Sequence, residues 1–165
     1  MLVLGIDPGT ATTGYGVVRE HPDGAFEAVD YGVITTPAHT PMAERLLQLH
    51  TEVTALITRY QPDVAAIETL FFGKNVTTAI TVAQGRGVIL LALAEAGVTI
   101  REYKPAEVKQ SVVGYGNAEK SQMQEMIRQM LNLEKIPRPD DAADGLGLAI
   151  TYLNASRFER LASDE

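Results

Sequence analysis

Four acidic residues stand where a carboxylate does little for fold stability. Asp7 closes the apolar run Leu2-Val3-Leu4-Gly5-Ile6, and Glu68 closes Val64-Ala65-Ala66-Ile67. Asp141 and Asp144 are three residues apart in a helical pattern and so share one helical face. Asp144 leads into Gly145-Leu146-Gly147-Leu148-Ala149-Ile150, a small and apolar stretch. Carboxylates gathered near apolar surroundings repel one another and lose hydration unless a cation joins them. Hard oxygen donors with no Cys or His suit Mg²⁺ or Mn²⁺ rather than zinc. Two such ions about 3.5–4 Å apart clamp the attacking and leaving oxygens of a phosphoryl displacement, whose uncatalysed counterpart is among the slowest biological reactions. Each acid has an ordinary alternative: Asp7 before Pro8-Gly9 opens a turn, Glu68 is a solvated strand end, and Asp140 or Asp141 caps a helix. Asp140 lies four residues before Asp144, so spacing alone does not choose between 140 and 141. The weight rests on the combination, in which three separate elements each deliver an acid toward one end.

Those elements are legible from period and turn chemistry. Leu2 to Asp7 is a short strand ended by Asp7-Pro8-Gly9. Residues 14–20 and 25–35 read as two further strands joined by His21-Pro22-Asp23-Gly24, an antiparallel start. Met42, Leu46, Leu49, Val53, Leu56 and Ile57 then follow helical spacing, with Thr40-Pro41 as the expected cap and Gln61-Pro62 as the stop. Residues 63–68 form a short buried strand, Asn75 caps a long helix reaching about residue 96, and residues 97–102 are a fifth strand. Helices are expected over 105–113, 118–131 and 140–158. Met123, Met126, Ile127, Met130 and Leu131 make a core stripe on the second of these. Three antiparallel strands followed by two parallel crossovers give an α/β fold, a five-stranded mixed sheet flanked by helices on both faces. Residues 1–158 are expected as a single domain and 159–165 as a flexible C-terminal tail.

Composition bounds the remainder. A chain of 165 residues, 45% hydrophobic and 21% charged, holds one ordinary core without staples, and with no cysteine it has no disulfide or thiolate zinc site. No apolar run approaches the roughly 20 residues of a membrane helix, and the N-terminus lacks the basic region of a signal peptide; a cytoplasmic location is expected. The net charge of −7 argues against nucleic acid. Its distribution reverses that argument: residues 71–138 hold nine basic side chains against six acidic, and the remainder five against fifteen. An acidic total therefore hides a basic segment.

Six blocks carry a resemblance. Gly5-Ile6-Asp7-Pro8-Gly9-Thr10, Ala66-Ile67-Glu68, Ala83-Gln84-Gly85-Arg86-Gly87-Val88, Val108-Lys109-Gln110-Ser111-Val112-Val113-Gly114, Ala118-Glu119-Lys120-Ser121-Gln122 and Asp141-Ala142-Ala143-Asp144 closely resemble, in order, the RuvC family of Holliday-junction resolvases. The resemblance runs from Leu2 to about Tyr152. It implies an RNase H-like fold and a homodimeric, metal-dependent endonuclease that nicks two opposing strands of a four-way DNA junction, in recombination and repair. It implies Asp7, Glu68, Asp141 and Asp144 as the catalytic, metal-binding acids, with two Mg²⁺ or Mn²⁺ ions per site, and it selects Asp141 over Asp140. Family members often continue the last block with alanine, where this chain has Gly145 and Gly147. Glycine costs a helix about 1 kcal/mol relative to alanine. Either the helix lies unusually close to the sheet, or its first turn is looser.

The basic segment contains Lys74, Arg86, Lys104, Lys109 and Lys120. Any one of them is ordinarily a solvated charge; the resemblance raises Lys109 and Lys120, inside its blocks, as contacts to DNA phosphates, and Lys74 and Arg86 join them as expected DNA-binding residues. Gly114-Tyr115-Gly116-Asn117-Ala118-Glu119-Lys120-Ser121 is not a nucleotide-binding loop, because Glu119 occupies the place of the glycine before Lys-Ser. Phe71 and Phe72 follow Glu68 closely and serve either as a staple onto the next helix or as a ring that stacks at the strand crossover; the resemblance places the stacking aromatic at Phe71. A twofold-symmetric junction is matched by an isologous dimer, with the long helix from residue 76 as its expected contact, and a branch-migration complex, RuvA–RuvB, is the partner the family implies. The competing functions are a ribonuclease H-type nuclease on the same fold and a non-catalytic junction-binding module. A sugar-kinase or chaperone-type ATPase needs two such domains, which this length cannot hold.

Overall fold

A computed structural model describes residues 1–9, 11–70 and 75–163. The strands are β1 (Leu2–Asp7), β2 (Thr12–Glu20), β3 (Phe26–Thr35), β4 (Val64–Glu68) and β5 (Thr99–Tyr103). The helices are α1 (Met42–Tyr60), α2 (Val76–Glu95), α3 (Pro105–Val113), α4 (Lys120–Met130) and α5 (Asp140–Ser163). The sheet order is β3-β2-β1-β4-β5. β1 pairs antiparallel with β2 and parallel with β4, so the expected mixed sheet is present with β1 at its centre.

Strand parity sorts the two cores. Side chains alternate across a strand, so Leu4, Ile6, Ala65 and Ile67 face α1 and α2, where they meet Leu49, Val53, Ile57 and Ile89. Val3, Val18 and Ala66 face the other way and pack with Val108, Ile127, Leu146, Ala149 and Ile150 from α3, α4 and α5. The same parity carries Asp7 and Glu68 to the α5 face, because Asp7 follows Val3 and Gly5, and Glu68 follows Val64 and Ala66. The β1–β4 register pairs Ile6 with Ile67, and one further step puts Asp7 beside Glu68. Met123, Met126 and Met130 pack against the α5-side core, as the stripe predicts.

α5 is buried on several sides, from Ala142 through Thr151, with the sheet beneath it and α3 and α4 beside it. That explains its weak helical periodicity, since a helix apolar all round belongs inside. Its seat on the sheet has no room for side chains. A Cβ on Gly145 would lie 2.5 Å from the Tyr15 carbonyl carbon, and a Cβ on Gly14 would lie 1.8 Å from the Asp141 carbonyl oxygen. Close packing is therefore the reason for Gly145. Gly147 turns toward α3 and α4, where a Cβ would meet the side-chain ends of Ile127 at 3.3 Å, Val108 at 3.6 Å and Met123 at 4.0 Å.

Two helix boundaries differ from expectation, and α2 has a property that the run of residues did not reveal. α5 continues to Ser163 rather than ending near residue 158, with Arg157 and Arg160 both paired with Glu20 at the end of β2, at 3.0 and 2.9 Å. Burial works to raise the Glu20 carboxyl, but the two guanidiniums outweigh it and hold its pKa below the usual range. The cap position of α1 is Pro41 rather than Thr40. α2, finally, has the length and mean hydropathy (1.5) of a bilayer-spanning helix. Reading for an unbroken run misses this, since Thr, Gln84 and Arg86 interrupt it while its average stays apolar. Asn75 does cap α2, accepting from the Thr78 amide at 3.2 Å.

The close seat of α5 makes a contrast testable. Alanine at 145 gains about 1 kcal/mol of helix propensity but pushes a methyl into backbone, an overpacking cost of about 1–3 kcal/mol; Gly147→Ala collects the propensity against yielding side chains. Urea denaturation should find Gly145→Ala less stable than wild type and Gly147→Ala equal or more stable. A stable Gly145→Ala would refute the close contact.

Candidate active site

Three elements converge at one end of the sheet. Asp7 ends β1 and Glu68 ends β4, adjacent and on the same face. Asp141 and Asp144 lie in the first two turns of α5, and Gly14, which pairs with Asp7 across β1–β2, is the point on which the Asp141 backbone rests. One carboxylate oxygen from each of Asp7, Asp141 and Asp144 lies within 4.8 Å of the others. Glu68 joins through a hydrogen bond with Asp7, which also hydrogen-bonds Asp144. Asp140 is turned away, paired with Arg138 and, at 3.4 Å, with Lys120. The geometry thus gathers Asp141 and leaves out Asp140, a choice that residue spacing left open.

The cluster opens on a cavity of about 260 Å³ lined by Asp7, Glu68, Asp144, Lys109 and Lys120, with Pro105, Val108, Met123 and Leu148 as apolar walls. Those walls were not read from the sequence; Met123 belongs to a stripe that is otherwise core. Lys109 on α3 is half-buried and Lys120, the first residue of α4, is exposed. The start of α4 is fixed by a capping box in which the Glu119 amide donates to Gln122 Oε1 at 2.9 Å.

Electrostatics in the cluster are unfavourable as it stands. Lost hydration, then the charges of Glu68 and Asp144 and hydrogen bonds to both, push the Asp7 carboxyl up to about 9. Burial raises Glu68 too, with the repulsion of Asp144 added and partial relief from the Asp7 hydrogen bond and Lys109. Asp144 is raised chiefly by burial, against the pull of Lys120. Burial opposes the charge on Lys120, but Asp144, Asp140 and Asp141 outweigh it and hold the ammonium above its usual pKa. An all-oxygen set of half-buried carboxylates sharing protons fits a hard divalent cation, which would replace those protons.

Comparison with known proteins decides the family. The family model for RuvC, crossover junction endodeoxyribonuclease RuvC, matches residues 3–152. The chain belongs to the RuvC family. It is 61% identical over 152 residues to crossover junction endodeoxyribonuclease RuvC of Chloroflexus aggregans, covering 92% of each chain. It is similar to the solved structure of Thermus thermophilus RuvC, with a TM-score of 0.90 and 35% identity over 96% of this chain and 97% of that one. A second T. thermophilus RuvC structure, in complex with a Holliday junction substrate, has a TM-score of 0.88 at 32% identity, covering 96% of each chain. The RNase H-like fold that the blocks implied is therefore present, and a RuvC-family nuclease uses divalent metal, consistent with the acid cluster.

Two expected RuvC DNA-binding residues, Phe71 and Lys74, lie outside the described residues. Arg86 is described: it is 15% exposed, with its guanidinium on Glu102 and its Nε on the Glu68 main chain. Glu102 was not singled out from the sequence. Its register on β5 opposite Ile67 was the available signal, since it places a carboxylate on the α2 side.

The acid cluster carries a pH signature. The unfolded chain releases the Asp7 proton near 3.8, while the metal-free fold holds it to about 9. Across that interval the folded state binds more protons, so this group's contribution to stability falls as pH rises. In EDTA, Asp7→Asn should therefore melt above wild type by a margin that widens from pH 4 to 9. A margin that stays constant would contradict the shared-proton cluster.

Proposed function

We propose that this chain resolves four-way DNA junctions by hydrolysing phosphodiester bonds in two opposing strands, with Asp7, Glu68, Asp141 and Asp144 as the catalytic, metal-holding acids. The observation that carries this reading is the convergence of Asp7, Asp141 and Asp144 within 4.8 Å, with Glu68 hydrogen-bonded to Asp7, beside a cavity that two lysines line. The four acids would hold two Mg²⁺ or Mn²⁺ ions. Bound there, the ions supply positive charge for the attacking and departing oxygens of the phosphodiester. The acids of β1, β4 and α5 hold that charge on a rigid frame, which matters because preorganisation removes the cost of reorganising at the moment of reaction. Lys120, kept protonated by its acidic neighbours, and Lys109 receive the backbone phosphates that flank the scissile bond. Val108, Met123 and Leu148 keep one wall of the site dry.

Phe71, as the ring that stacks at the strand crossover, and Lys74, as a phosphate contact, complete the proposed set of DNA-binding residues. A second copy completes the enzyme, because paired nicks need two sites related by the junction's own twofold axis. α2 offers the contact: Val76, Ile80 and Leu91 are exposed by 63, 54 and 55%. They follow offsets of four and eleven residues, which places them on one stripe. Chromosomal DNA as substrate puts the enzyme in the cytoplasm, and the RuvA–RuvB branch-migration complex would deliver the junction.

The direct test is a labelled synthetic four-way junction beside matched duplex and RNA–DNA hybrid, with Mg²⁺, Mn²⁺ or EDTA. Symmetric nicks in the junction alone are expected, lost in EDTA and reduced by orders of magnitude in Asp144→Asn with junction binding retained. Cutting of the hybrid instead would move the protein to ribonuclease H chemistry, and binding without any cut would make it a recognition module. The dimer is tested separately by sedimentation velocity at micromolar concentration. Wild type should run as a dimer and Ile80→Glu as a folded monomer; a monomeric wild type would remove α2 as the contact.

A further inference from the structure

Arg86 lies midway along α2, and its side chain is 15% exposed. Its Nε donates to the main-chain carbonyl of Glu68 at 3.3 Å, and a terminal guanidinium nitrogen pairs with the Glu102 carboxylate of β5. Strand parity explains the arrangement. The Glu68 side chain leaves the sheet on the α5 face, so a cation approaching from α2 reaches only its backbone. Glu102, one residue out of phase with Glu68's partner Tyr103, points back toward α2 and holds the guanidinium in place. Beyond Glu68 the ladder to β5 is continued by the Thr69 amide on the Tyr103 carbonyl at 2.9 Å, and Arg86 holds the carbonyl end of that same peptide. The preceding residue, Gly85, is buried against the Asp7-Pro8-Gly9 turn, where a Cβ would lie 3.6 Å from the Gly9 carbonyl oxygen. One turn of α2 therefore abuts both strand ends that carry acids.

We infer that Arg86 is a positioning residue that fixes the Glu68 carboxylate through its main chain, with Glu102 orienting the guanidinium. The inference rests on the reading of Glu68 as a metal-holding acid. A planar fork serves the carbonyl and the carboxylate from two fixed, separated nitrogens, an arrangement that the compact lysine ammonium does not reproduce. Groups that orient metal ligands from behind are commonly worth about 10–100-fold in affinity or activity.

The test uses full-length wild type, Arg86→Gln, Arg86→Lys and Glu102→Gln, with thermal melts as a folding control. Mn²⁺ affinity is measured without DNA by electron paramagnetic resonance, and junction affinity with its salt dependence is measured in EDTA. Single-turnover cleavage is then followed in Mg²⁺. Arg86→Gln should lose about tenfold or more in both Mn²⁺ affinity and cleavage rate, with junction affinity and salt slope unchanged. Arg86→Lys, which keeps the charge, should not recover the Mn²⁺ affinity. Glu102→Gln should weaken Mn²⁺ binding although it keeps the side chain's size and removes only a charge. If Arg86→Gln does not fold, the other two variants are judged on the same readouts. Unchanged Mn²⁺ affinity with a shallower salt slope would overturn the inference and make Arg86 a phosphate contact; full rescue by lysine would also overturn it. A wild type that binds no Mn²⁺, or that cuts no junction, would instead sink the functional reading before any variant is compared.

Discussion

The seat of α5 on the first two strands is the constraint on which the rest of the molecule depends. Backbone meets backbone there, with a Gly145 Cβ forbidden by Tyr15 and a Gly14 Cβ forbidden by Asp141. Because Gly14 is the cross-strand partner of Asp7, the same contact that packs the helix sets the distance between acids of different elements. Leu146, Leu148, Ile150 and Leu153 then bury fully around it, each worth about 1.5–3 kcal/mol relative to exposure. The core on this face thus drives Asp141 and Asp144 toward Asp7 against their mutual repulsion.

That repulsion is the functional content of the fold. A free chain would never assemble four carboxylates in a half-buried cleft, and here the pKa of Asp7 records the conflict. The conflict is resolved by charge from outside, whether a divalent ion or, more weakly, Lys109 and Lys120 on the far wall. Apolar burial elsewhere stabilises an electrostatically strained centre, and the strain becomes affinity for a cation.

α2 joins the two halves of this design. Its inner side packs on α1 and the sheet, its middle turn touches the strand ends behind Asp7 and Glu68, and its outer stripe of Val76, Ile80 and Leu91 remains exposed. An apolar outer stripe raises its mean hydropathy to that of a membrane helix, yet Arg86 sits in the middle with an acid partner. A helix asked to be both core and contact surface has two apolar sides, and length and composition cannot separate that from a bilayer span.

The amino-acid sequence by itself determined the element order, the mixed sheet, the family and the strand ends at which Asp7 and Glu68 stand. Period-2 and period-3.6 patterns and turn residues are local, and Asp7 and Glu68 each terminate a run whose parity is countable. It also offered Asp140 and Asp141 as equals on spacing. Only the tertiary structure separated them by geometry, because the Gly14 contact rotates Asp141 inward and leaves Asp140 to Arg138 and Lys120. Likewise a basic residue reads the same whatever its partner; the pairing of Arg86 with a carboxylate sixteen residues away, across a strand register, is visible only in the fold. The reach of α5 past residue 158 was settled by Glu20, on the far side of the chain. Periodicity is written between near neighbours, whereas charge partners and close backbone contacts are chosen by whichever elements the fold brings together.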